Sequence, residues 1–99
     1  MITQYLSDYI KNKRCTLMCA GPMTKNFVDA FIDYSKNKKF PTMLIASRRQ
    51  IDTKLLGGGY VNNWSTEEFS KYVRKKSKKI ILCRDHGGPF QGNNPYDQE

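Results

Sequence analysis

Ile80-Ile81-Leu82-Cys83-Arg84-Asp85-His86-Gly87-Gly88-Pro89 is an apolar run that passes without a break into a carboxylate, an imidazole and a glycine-rich turn. A short apolar run ended by such a turn reads as a buried strand. In parallel α/β proteins, the loops that leave the carboxyl ends of strands form the binding crevice. A strand ending in Asp85-His86 therefore puts an acid and a potential metal ligand on that rim.

Working back from this strand, Ser65-Thr66-Glu67-Glu68 fits a capping box, and Phe69, Tyr72 and Val73 give the helix behind it one buried stripe. Thr42-Met43-Leu44-Ile45-Ala46 is a second apolar strand, preceded by the helix breaker Phe40-Pro41. Thr24 caps a helix whose stripe is Phe27, Val28, Phe31, Ile32 and Tyr34. Before it, Cys15 to Ala20 is a third apolar run, stopped by Gly21-Pro22. Ile2, Tyr5, Leu6, Tyr9 and Ile10 recur at helical spacing.

The order is α-β-α-β-α-β, which predicts a parallel sheet with right-handed crossovers. The expected division is an amino-terminal amphipathic helix over 1–14, a βαβαβ segment over 15–91 and a frayed polar tail over 92–99. Strands apolar on both faces would be covered on both faces. Three such strands leave two open edges, so the segment reads as the opening of a larger α/β fold.

With 99 residues, the chain has room for one small domain. No apolar run approaches the roughly 20 residues that span a bilayer, and Gln4, Ser7, Asp8 and Lys11 interrupt any secretion signal. A soluble cytoplasmic protein is the expectation. Cys15, Cys19 and Cys83 have no metal spacing and fall inside apolar runs, so they read as buried small residues.

The net charge of +8 gathers at Lys36 to Lys39 and Arg74 to Lys79, each at the end of an expected helix. Cations there complement the helix dipole and stay solvated; an anionic ligand or partner is the alternative. No aromatic residue interleaves either cluster as a stacking platform, which disfavours nucleic acid.

Several residues can carry chemistry. His86 can ligate a divalent metal while Asp85 acts as acid or base, or Asp85 can cap the turn beside a hydrogen-bonded loop histidine. Arg48 and Arg49 follow the second strand, where a guanidinium suits phosphate. Being adjacent, at most one of them faces the site. Arg84 shares His86's side if the extended backbone persists. The polar segment Ser47 to Asn63 is long for a connection without structure of its own, and such segments are often functional. Its Gly57-Gly58-Gly59-Tyr60 run lacks the ending of a phosphate-binding loop, and its glycines allow positive φ, close backbone approach or a mobile lid.

Taken in order, Pro41 to Ser47, Gln50, Gly58-Gly59-Tyr60, Ser65 to Phe69, Ile81-Leu82, Asp85-His86 and Gly88-Pro89 resemble the non-catalytic (Z-type) subunit family of class II tagatose-bisphosphate aldolases. The likeness runs from about Cys15 to Gln91 and departs from the family pattern at Ile45, Arg49, Cys83, Arg84 and Gly87. It implies a (β/α)8 TIM barrel of which these are the first three strands. It also implies a supporting role for a separate catalytic aldolase subunit in sugar-phosphate metabolism, with this chain inactive alone. In related class II aldolases an Asp-His pair at a strand end supplies a proton donor and a zinc ligand. Carried over, this implies Asp85 as donor and His86 as Zn2+ ligand; Arg48, Arg49, Gln50, Gly58, Gly59 and Arg84, on the same rim, are the residues expected around a sugar phosphate. The competing expectation is a self-contained small α/β module that binds an anionic ligand or a protein partner, with a basic nucleic-acid-binding domain behind it.

Overall fold

A computed structural model describes residues 1–13 and 17–97. Helix α1 spans Ile2–Lys13, strand β1 Met18–Ala20, helix α2 Lys25–Lys36, strand β2 Thr42–Ser47, helix α3 Thr66–Lys76 and strand β3 Ile81–Asp85. The strands form one parallel sheet in the order β1-β2-β3, with Ala20 opposite Leu44 and Ser47 opposite Asp85. Cys15 and Thr16, expected to open the first strand, lie outside the described residues. Among those residues no helix is long and apolar enough to cross a membrane.

Local chemistry sets the helix boundaries. The Thr24 hydroxyl accepts from the Phe27 amide at 3.1 Å and starts α2. At α3 the capping box is complete: the Glu68 amide donates to the Ser65 hydroxyl at 3.2 Å, and the Ser65 amide donates to the Glu68 carboxylate at 2.7 Å. That second bond holds the Glu68 carboxyl below its ordinary pKa.

Both crossover helices lie on the same face of the sheet. Val28, Phe31 and Ile32 of α2 and Phe69 and Val73 of α3 pack with Leu44 and Ala46 into one core, against which Ala20 and Leu82 also rest. Each side chain buried as completely as Val28, Ile32, Leu44 or Val73 contributes about 1.5–3 kcal/mol. Asp29 on α2 ties the two helices together by accepting from Lys25 at 2.8 Å, from Lys76 at 2.9 Å and from the Tyr72 hydroxyl. Trp64 packs on Tyr72 with centroids 4.8 Å apart and the rings tilted by 39°.

Those donors, Lys25 first, then Tyr72 and Lys76, hold the Asp29 carboxyl well below its ordinary value of 3.8. A carboxyl depressed in the folded state stabilises above its unfolded pKa, and that stabilisation fades as pH falls. Asp29→Asn should therefore be less stable than the parent at neutral pH, with the gap closing as pH drops from about 5 toward 2. Urea unfolding across that range checks it. A gap independent of pH would mean that the ionised carboxylate does not join the helices.

The opposite face differs from expectation. Cys19, Met43, Ile45, Ile81 and Cys83 share it by register, Ile81 is buried at its lower end, and neither crossover helix packs on it. Cys19 and Cys83 are exposed, and Met43 and Ile45 are half-buried. Reading every strand as covered on both faces, with buried cysteines, is corrected by this arrangement. The runs are apolar on both sides, yet the crossovers bring a layer to one side only.

Helix α1 also stands apart. Tyr9 is buried, but Ile2, Tyr5 and Ile10 remain about half exposed at 53, 48 and 56 %. The radius of gyration is 14.4 Å, against about 13 Å for a compact domain of this length.

Candidate functional site

The three loops that leave the carboxyl ends of the strands meet, as expected of a parallel sheet. Gln50 joins the first two: its carboxamide donates to the Pro22 carbonyl at 2.8 Å and accepts from the Ser47 amide at 2.8 Å. Arg48 joins the second and third by donating to the Gly88 carbonyl at 2.8 Å. Asp85, the last residue of β3, lies in register with Ser47 at the same edge.

Asp85 and His86 bond to each other, with 2.6 Å between the imidazole Nδ1 and a carboxylate oxygen. Both side chains are exposed, at 52 and 66 %. The pair suits proton relay, or a ring oriented through Nδ1 that offers Nε2 outward. His86 has a φ of 45°, a left-handed conformation uncommon outside glycine. The strand therefore ends at Asp85, and the extended backbone that would put Arg84 and His86 on one side does not persist.

The arginines separate by role. Arg48 is buried, pairs with Asp52 at 2.9 Å and with Asp97, and thereby locks the inside of the rim. Gly92 sits over this lock. A Cβ there would come within 3.1–3.2 Å of Arg48, Asp52 and Asp97. Arg84, opposite Ala46 on the helix-covered side, donates to the carbonyls of Ser47 at 3.1 Å and Ile51 at 2.5 Å and to the Thr66 hydroxyl at 3.0 Å. It clamps the turn after β2. Arg49 stays exposed at the rim.

The glycine run is packed. Gly57 closes a 3₁₀ turn, Lys54–Leu56, with φ 104°, and Gly59 lies against the Gln50 backbone, where a Cβ would be 2.2 Å from the carbonyl oxygen. Tyr60 and Val61 donate backbone hydrogen bonds to Arg49 and Gln50 at 3.1 and 3.0 Å. The segment expected to be a structureless loop or lid thus buries Ile51, Asp52, Val61 and Trp64. Nor is the tail frayed up to Asp97: Gly92 and Asp97 are buried, and the Phe90 amide donates to the Asp97 carbonyl at 2.9 Å.

Asp52, Asp97 and Gly92 did not stand out in the sequence. Arg48 and Asp52 are four apart but lie on a non-helical turn, where that spacing carries no pairing signal; nothing local points to Asp97. Cys19, exposed near this edge on the open face, has its thiol pushed up by partial desolvation, then by Cys83 and Asp85, the opposite direction from an activated thiol.

The donor set does not make a zinc site by itself. His86 offers one nitrogen, a catalytic zinc takes about three protein ligands, and no group of three His, Cys, Asp or Glu suited to a metal exists among the described residues. Comparisons of the chain with protein-family models, curated proteins and solved structures found no match.

Proposed function

We propose that this chain is the opening βαβαβ portion of a (β/α)8 barrel similar to the Z-type subunits of tagatose-bisphosphate aldolases, and that it supports a catalytic aldolase subunit acting on sugar phosphates. One observation is consistent with the barrel half of this reading: two successive crossover helices on a single face of a parallel sheet in the order β1-β2-β3. Winding in one sense with strands added in order is how a barrel grows, and it is also the arrangement of one βαβαβ half of a doubly wound sheet, so the choice of the barrel rests on the family resemblance. The face with Met43, Ile45, Ile81 and Cys83 would then be barrel interior. The supporting role comes from the family resemblance.

In the closed ring Asp85 would be the proton donor, His86 one metal ligand, and Arg49 the arginine available to a phosphate. Zinc would need its remaining ligands from outside the described residues. A second reading, a self-contained module, is favoured by the Arg48–Asp52–Asp97 lock, which folds the segment after β3 back onto the rim.

Two measurements test the proposal. Alone, the chain should bind a fluorescent apolar dye through its open sheet face. Added to a tagatose-bisphosphate aldolase catalytic subunit, it should form a complex in sedimentation and raise that subunit's Tm. A dye-silent monomer that unfolds cooperatively and leaves the catalytic subunit unchanged would establish the self-contained module instead.

A further inference from the structure

The two lysine-rich clusters, almost forty residues apart in sequence, line one cleft at the end of the sheet opposite Asp85. This cleft has a volume of about 540 Å³ and opens between α1, the start of β2 and the start of β3. Its volume lies within the roughly 300–1,000 Å³ usual for small-molecule sites. Lys38, Lys39, Arg74, Lys78 and Lys79 line it, and no aspartate or glutamate does. Tyr5 and Phe40 contribute aromatic walls that remain 48 and 36 % exposed.

The helix dipole does not account for this grouping. Its effect is confined to the last turn, whereas α2 ends at Lys36 and α3 at Lys76. Lys39, Lys78 and Lys79 lie beyond those ends, are exposed, and make no ion pair among the described residues. Arg74 is held at the wall by donating to the Ile80 carbonyl at 2.5 Å, and Lys38 lies 4.4 Å from the Tyr34 ring centroid. Like charges drawn into one cleft repel one another. A polyanion relieves that repulsion, and the exposed rings offer a face on which a planar apolar group can stack.

We propose that this cleft binds a planar aromatic base joined through a sugar to two or more phosphates, the chemistry of a nucleoside diphosphate, at a site separate from the Asp85–His86 rim. Titration calorimetry on the full chain tests it with ADP, adenosine and inorganic pyrophosphate as probes, at about 50 and 200 mM salt. ADP should bind, more weakly at the higher salt, with adenosine and pyrophosphate each at least about tenfold weaker. Lys78→Glu/Lys79→Glu should weaken ADP by about tenfold or more, and Phe40→Ser by several-fold, while circular dichroism remains that of the parent. Absent ADP binding, ADP binding unchanged in the double variant, or pyrophosphate binding as tightly as ADP would each overturn the proposal. So would single-stranded RNA binding with a steep salt slope where ADP does not bind, which would make the cleft a nucleic-acid surface.

Discussion

Arg48→Ala should destabilise the protein by about 3–5 kcal/mol, whereas Arg49→Ala, one residue along, should stay within about 0.5 kcal/mol of the parent. The reason is burial. Arg48 lies between the side chains of Asp52 and Asp97, which are 7 and 0 % exposed. Alanine would leave two carboxylates facing each other away from water with no cation between them, and would release the Gly88 carbonyl that Arg48 holds at 2.8 Å. Arg49 is exposed, and its guanidinium joins no ion pair among the described residues. Urea unfolding of the two variants side by side checks the contrast. Equal losses would mean that the buried pair is not the lock that closes the rim.

Gly59→Ala should cost about 3 kcal/mol, combining the strain of overpacking with loss of up to two hydrogen bonds of about 1 kcal/mol each. The new methyl would stand 2.2 Å from the Gln50 carbonyl oxygen and 2.6 Å from the Ile51 amide nitrogen. Both are backbone atoms of a turn that Arg84 already clamps, so neither can swing aside. Relief requires moving Tyr60 and Val61 away from their partners Arg49 and Gln50. Gly58→Ala is the control. Its φ of 65° carries a conformational cost of about 1 kcal/mol, but nothing lies within 4 Å of its Cβ position. Thermal unfolding should therefore rank Gly59→Ala well below Gly58→Ala. The reverse order would imply a mobile glycine run.

Much of the architecture is legible in the amino-acid sequence. Thr24 and Ser65 mark helix starts because their side chains cap amides two or three residues ahead, an interaction wholly encoded in local sequence. Leu44 with Ala46, and Ile81 with Leu82, mark strands bounded by proline and glycine. The convergence of the three loops follows from a parallel α/β order alone, and Gln50 and Arg48 supply the bonds that hold it. The roles of the arginines were not legible. Arg48, Arg49 and Arg84 are chemically identical, and which of them is buried depends on Asp97, forty-nine residues beyond Arg48. The side on which His86 falls relative to Arg84 hung on an extended backbone, and the left-handed φ that ends it is only weakly encoded at a non-glycine residue.

By itself the sequence determined the parallel α/β order, the helix caps and the placing of Asp85-His86 at a strand's carboxyl end, since each rests on contacts within a few residues or on the period of apolar positions. Only the tertiary structure decided that both crossovers cover one face, that the glycine run is a packed turn, and that two basic clusters share a cleft. Those outcomes depend on which distant groups come together in space. Burial and charge pairing are properties of that meeting, and no local pattern encodes them.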